Sequence, residues 1–382
     1  MIEARDSVET VAEELTPNRQ PNRLAVVDTD VHHGFRERGD LFPYLPKFYR
    51  ERLADYGLGG GGGYAYNGGK KGRRVDALYP DDPADNTTSA VNVEKVRAQL
   101  LDGCGIDVAI LSGGATIYPA STLTDVDYAS ALCAAFNDFT VERWMSADDR
   151  FRFLIQICTQ DPEGAAKEID RLGEHPGAVG IVMPCGSPHP YGQRFYHPIY
   201  EACARHDLAV ALHFGGEGSG INPPPTSSGY PSYYSEARQA RPAYYQVHLA
   251  SFIFEGVFEK FPTLRVAMLE AGFAWIPPYL WKMDADWKGL RYQTPWVKRA
   301  PSEYVCEHVR FATQPVDEPP HAEDISKLME WLDDGRLLMF ASDHPHWDWD
   351  DPAEVLTVLP EEIRRRIFVE NARETFRLAP AR

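Results

Sequence analysis

Residues 197–213 read His-Pro-Ile-Tyr-Glu-Ala-Cys-Ala-Arg-His-Asp-Leu-Ala-Val-Ala-Leu-His, and their reading decides the architecture. A helical stretch, Pro198–Arg205, is followed by an apolar run, Leu208–His213, that is strand-like in length and ends in an imidazole. The same alternation extends in both directions. Short apolar runs rich in β-branched residues occur at Leu24–Asp28, Val108–Ser112, Phe151–Ile157, Val179–Met183, Leu264–Leu269, Val309–Ala312 and Leu337–Ala341. Helical patterns at Val93–Leu101, Tyr128–Met145, Glu163–Leu172, Tyr244–Phe258 and Ile325–Leu332 fall between them. Strand alternating with helix predicts parallel β/α construction. Eight such units, with the first and last strands near the chain ends, predict an α/β fold closed into a (β/α)8 barrel of the TIM type.

The sequence divides into an N-terminal extension, 1–20, and one metal-dependent barrel domain, 21–382. Long connections after strands one and five, 31–92 and 214–240, leave the carboxyl ends of strands, where a barrel carries its site, and are expected to act as lids. A further long connection, 284–308, precedes strand seven. The stretch GLGGGGGYAYNGG at Gly57–Gly69 reads as a surface excursion, and the basic run Lys70, Lys71, Arg73 and Arg74 as a solvated loop.

Composition excludes several classes. With 56 acidic against 39 basic residues the net charge is −17, which repels phosphate backbones and anionic membranes. No window approaches a membrane span of ~18 apolar residues, and the acidic N-terminus lacks a signal-peptide core, so a cytoplasmic location is expected. The six cysteines are far apart and read as reduced thiols, Cys185 included. Gly215–Gly220 suggests a phosphate cradle, but Pro223–Pro225 forbids the helix that such a cradle needs.

Candidate chemistry lies at strand ends. Strand one finishes Asp28-Thr-Asp30-Val-His32-His33, where Asp28, Asp30 and His32 share a face and His33 takes the other. Strand five ends at His213, strand six at Glu270, and strand eight at Asp343-His344-Pro345-His346. Ionisable groups after buried runs are costly unless paired or metal-bound. Carboxylate with imidazole is the ligand set of zinc, iron or manganese. His189, His197 and His206 read as loop or helix-end residues, and His248 by periodicity as a core histidine.

The stretches FEGVFEKFPTLRVAMLEAGFAWIPPYLWKMD (254–284), LLMFASDHPHWDWDDP (337–352) and ENARETFRL resemble the amidohydrolase-related family of decarboxylases, hydratases and hydrolases. The resemblance implies metal ligation by Asp30, His32, His213 and Asp343. It departs from the family at Glu270, where a histidine acid–base is usual. A small branch of dinuclear non-haem iron or manganese–iron monooxygenases is also similar, and that likeness adds His248 and Glu270 as ligands and catalytic residues. With His346 the donors number seven. The favoured expectation is therefore a two-metal Fe or Mn/Fe monooxygenase acting with O2 on a small carboxylate-bearing substrate. The alternative is a single-zinc hydrolase or non-oxidative decarboxylase with Glu270 as general base, and an inert partner subunit ranks last. Tyr64, Tyr66, Tyr233 and Tyr234 are expected pocket walls, and Arg238, Arg241 or Lys71 partners for an anionic group. The aromatic helix Trp275–Trp287 suggests a homo- or hetero-oligomer contact.

Overall fold

The computed structural model describes residues 24–58, 89–114, 122–317 and 319–379. The readings made for 1–20, for Tyr64 and Tyr66, and for Lys70–Arg74 lie outside these residues, as does most of Gly57–Gly69. The described residues form eight parallel strands ordered as in the sequence. They are β1 Val27–His32, β2 Val108–Gly113, β3 Phe151–Gln156, β4 Ala178–Pro184, β5 Ala209–His213, β6 Val266–Leu269, β7 Val309–Ala312 and β8 Leu338–Met339. Helices alternate with them, including Val126–Thr140, Pro162–Leu172, His197–Arg205, Arg241–Phe254 and Ala322–Trp331.

The seam between β8 and β1 completes the barrel. Thr29 N–H and Oγ1–H both donate to Phe340 O, at 3.1 and 2.8 Å. Beyond them Asp343 N–H donates to Asp30 O at 3.1 Å and His32 N–H to His344 O at 2.9 Å. This seam explains two shifted boundaries. β1 runs to His32 instead of ending at Asp28, because its far half pairs with the chain after β8 through the Val31–His344 bridge. The eighth ladder is correspondingly short, two residues instead of the expected Leu337–Ala341.

Alternation along each strand separates two cores. In β5, Ala209 and Ala211 point into the barrel while Val210 and Leu212 pack outward beneath the helices. β6 repeats this with Ala267 and Leu269 inside and Val266 and Met268 outside. Small inward residues let eight strands close tightly, and the bulky outward ones bury apolar area of ~25 cal/mol per Å² against the helix ring. By this parity His213 and Asp343 point inward. No described helix is long and apolar enough to cross a membrane.

Close approach of strands imposes one small residue. A Cβ on Gly180 of β4 would lie 2.7 Å from Ala209 O of β5 and 3.0 Å from Leu154 Cδ2 of β3. Gly180→Ala is expected to destabilise the barrel by about 1–3 kcal/mol, read as a lowered thermal or denaturant midpoint. An unchanged midpoint would mean that β4 moves away from β5 at no cost.

Candidate metal centre

Four of the seven predicted donors meet at the mouth of the barrel. One ligand atom from each of Asp30, His32, His213 and Asp343 lies within 4.8 Å of every other, and all four residues are buried. Asp30 and His32 come from β1, His213 from the last position of β5, and Asp343 from the chain leaving β8. Asp343 has φ +59°, a left-handed conformation uncommon for any residue but glycine and typical of functional turns.

The orientation of the two imidazoles is set by backbone carbonyls. His32 Nδ1–H donates to Gly113 O at 2.9 Å, and His213 Nδ1–H to Phe214 O at 2.6 Å. A carbonyl only accepts, so each ring carries its proton on Nδ1 and turns a bare Nε2 toward the cluster. His32 Nε2 lies 2.8 Å from Asp343 Oδ1, and His213 Nε2 lies 3.2 Å from Asp30 Oδ2. Neither contact has hydrogen-bond geometry. Both nitrogens, both Asp30 oxygens and Asp343 Oδ2 are buried without a hydrogen-bond partner.

The electrostatics show the same imbalance. Burial pushes the His213 imidazole down, but Asp30, Glu270 and Asp343 outweigh it and raise the group to about 10. His32 is likewise raised by Asp343 and Asp30 against the opposing effect of burial. Asp30 and Asp343, although burial alone would raise them, are held below the usual carboxylate range by their imidazole neighbours. Asp28 stands behind the cluster rather than in it. Its Oδ1 accepts from Ser342 N–H at 2.9 Å and Asp30 N–H at 3.2 Å, and burial raises it to about 7.

The other three predicted ligands lie outside this cluster of four and make contacts of their own. His248 Nε2–H donates to Cys185 O at 2.9 Å, and its Nδ1 accepts from Tyr191 N–H at 3.2 Å. Its ring stacks on Tyr191, so both nitrogens are engaged and His248 is a core histidine. His346 uses Nδ1–H to hold Asp343 Oδ1 at 2.6 Å, the oxygen that also faces His32, while Oδ2 is buried without a hydrogen-bond partner.

Glu270 adjoins the four donors without joining them. One oxygen lies 3.7 Å from His213 Nε2, and the other contacts the Arg241 guanidinium. Continued alternation in β6 would send Glu270 outward, but its φ of +57° reverses the parity, and Ala271 packs in the outer core instead. Burial raises its carboxyl above the usual range, with Arg241 opposing. Tyr245 Oη–H donates to Leu269 O and fixes this turn.

Some of the apparatus was invisible to sequence reasoning. The carbonyls of Gly113 and Phe214 carry no side-chain signal. Glu217, set among the glycines of 215–220, is a buried carboxylate whose Oε1 accepts from Gly215 N–H at 2.8 Å, and burial raises it to about 7. A glutamate isolated among glycines after a strand was the available clue.

Comparison with known proteins now gives context. The family described as Amidohydrolase matches residues 97–378. A γ-resorcylate decarboxylase from Polaromonas sp. (strain JS666) is 25% identical over 314 residues, spanning 75% of this chain and 88% of that protein. The protein of the same name from Rhodococcus jostii (strain RHA1) is 26% identical over 313 residues, with the same coverage of 75% and 88%. Among solved structures, 5-carboxyvanillate decarboxylase from Novosphingobium aromaticivorans, complexed with manganese and 4-hydroxy-3-methoxy-5-nitrobenzoic acid, superposes with a TM-score of 0.68. It is 20% identical, and the match covers 96% of this chain and 100% of that one. These relatives are decarboxylases, not oxygenases. The expectation of a dinuclear monooxygenase using O2 is corrected accordingly. Four of the seven counted donors form one buried cluster, and Glu270 beside them contacts Arg241 with one oxygen.

The placement of His248 makes a pH-dependent prediction. Burial lowers its imidazole from 6.5 to about 4. The unfolded chain therefore takes up this proton near pH 6.5 and the folded chain only near pH 4. Stability present above pH 6.5 is lost progressively between these values, by on the order of 3 kcal/mol from this group. His248→Gln should flatten that part of the stability profile relative to the parent and leave metal content unchanged. Loss of metal in the variant would return His248 to the ligand list.

Proposed function

This chain belongs to the amidohydrolase family, and from that premise we propose that it is a metal-dependent, non-oxidative decarboxylase of a small carboxylic acid. The observation that carries this reading is the set of buried, partnerless donor atoms on Asp30, His32, His213 and Asp343. Two bare imidazole nitrogens and two carboxylates suit one divalent ion of the zinc or manganese type. Manganese is favoured by its presence in the 5-carboxyvanillate decarboxylase complex. A divalent ion held there would supply positive charge that polarises a carboxylate oxygen of the substrate.

The remaining chemistry falls to the chain. Loss of CO2 breaks the bond from the substrate carbon to its carboxylate and leaves the electron pair on that carbon, which must then take a proton. We assign this proton to Glu270, whose one oxygen faces His213 and whose other is held by Arg241, so that its carboxyl is not free to swing. The Glu270 carboxylate first takes this proton from solvent, gives it to the carbon as CO2 leaves, and returns to its ion pair with Arg241. His346 keeps Asp343 in orientation, and the Gly113 and Phe214 carbonyls keep the two imidazoles in theirs. The γ-resorcylate decarboxylase relatives supply the reaction type, since their matches span 88% of their own length.

Three measurements test this. Elemental analysis of the purified protein should find one divalent ion per chain, lost in His213→Ala. CO2 release should be screened with 2,6-dihydroxybenzoate and 5-carboxyvanillate, and turnover should be the same with and without O2. Glu270→Gln should retain the ion while kcat falls by about 10²–10⁴-fold. A strict need for O2, or hydrolysis of an ester or amide in place of CO2 release, would refute the assignment.

A further inference from the structure

The helix Ile276–Leu290, which follows β6, buries Ile276, Leu280 and Met283 on one side. On the opposite side Pro278, Trp281, Ala285 and Gly289 are exposed, and Tyr292 just past the helix end continues the row. Residues three, four and seven apart share a helix face, so these five form one stripe. Trp281 is 55% exposed and Tyr292 72%. Trp281 also meets Trp331, itself 56% exposed, edge to face with ring centroids 5.6 Å apart.

The area of this face is that of an interface. An aromatic side chain presents roughly 150–250 Å², so the three rings leave on the order of 300–450 Å² in water. One side of a standard interface covers about 800 Å², of which about 60% is apolar. The stripe supplies most of that apolar share, and contiguous patches of this size mark interaction sites.

Its pattern identifies the partner. Trp281 and Gly289 stand four residues to either side of Ala285, and Pro278 and Tyr292 seven. Two such helices crossing antiparallel on a two-fold axis through Ala285 would set each Trp281 on the other chain's Gly289, and each Pro278 on a Tyr292 ring. Glycine is unfavourable inside a helix, and nothing in this chain requires it at 289, since a Cβ there would meet nothing within 4 Å. A ring arriving from outside does require it. On one flank Lys282 pairs with Asp286 at 2.6 Å, and the same symmetry brings each lysine beside the other chain's Asp286, so the charges match as well. Self-complementarity of this kind is what an isologous contact demands, whereas an unrelated partner demands no symmetry.

We propose that the outer face of the helix Ile276–Leu290 is a two-fold interface, covered by the same face of a second copy of this chain. The small Ala285 at its centre lets the two helix axes approach to about 8–10 Å.

The test uses the full chain in sedimentation velocity. The parent should run as a dimer, or as a larger assembly built from such pairs, and Trp281→Glu should halve its mass at the same concentration. The dissociation constant of the pair should rise roughly 100-fold or more, because the substitution removes two central rings from each interface. Trp281 packs on the surface, so the variant should keep the parent's circular dichroism. Ala285→Cys, oxidised with diamide, should yield two chains joined through position 285, since axes about 8–10 Å apart hold Cα atoms on the dyad within the ~4.4–6.8 Å that a disulfide spans. The parent treated alike controls for its six native cysteines. A monomeric parent would overturn the proposal and leave the face to a different protein. So would an assembly whose mass Trp281→Glu does not change, or an Ala285→Cys variant that associates but stays unlinked.

Discussion

Two carboxylates and two imidazole nitrogens with bare lone pairs face one another in a space that solvent barely reaches. Such an arrangement holds together only if something positive sits among its members. Without it, each buried oxygen and nitrogen forfeits its solvation with no compensating bond, at a cost of about 1–3 kcal/mol per group and more where the group is charged. The carboxylates of Asp30, Glu270 and Asp343 raise the His213 imidazole against the opposing effect of burial, so the surroundings favour positive charge there. A divalent ion held by Asp30, His32, His213 and Asp343 would meet the same demand, so proton and metal would compete for one place.

The barrel seam and the cluster are one construction. Asp343 N–H donates to Asp30 O, and His32 N–H donates to His344 O, so the backbone bonds that join the two ends of the barrel belong to ligand residues or their neighbours. Parallel strands of matched length place their carboxyl ends on a single rim. Inward parity then delivers His213 and Asp343, and a left-handed residue corrects the parity where it would fail, at Glu270. The ligands inherit the rigidity of strands, whereas the segments above them, such as the helix Tyr234–Arg238, contribute Arg238 and the ring of Tyr234.

The eight strands and the rim were legible because apolar runs ending in His213, Glu270 or Asp343 cannot be explained by burial alone. For His248 the two sequence arguments diverged: helical spacing made it a core histidine and the family resemblance a ligand, and neither could show which atoms meet its two nitrogens, here Cys185 O and Tyr191 N–H. The seven-donor count treated every imidazole and carboxylate as an open donor, whereas His346 holds Asp343 and Glu270 contacts Arg241. Pairings between residues 29 positions apart leave no periodic trace, and carbonyl partners leave none at all.

The Glu270–Arg241 pair also accounts for a departure from the family pattern that the sequence left unresolved. A neutral histidine at the end of strand six would add no charge to the rim. A glutamate alone would bring the carboxylates around a divalent ion to three, counting Asp30 and Asp343, and leave one negative charge buried without compensation. Arg241 removes that excess. Glutamate and guanidinium together return the position to neutrality while converting a single ring into an extended dipole, negative toward the ligands and positive away from them. Arg241, at the start of the helix Arg241–Phe254, gives the rim a fixed positive group beside Glu270.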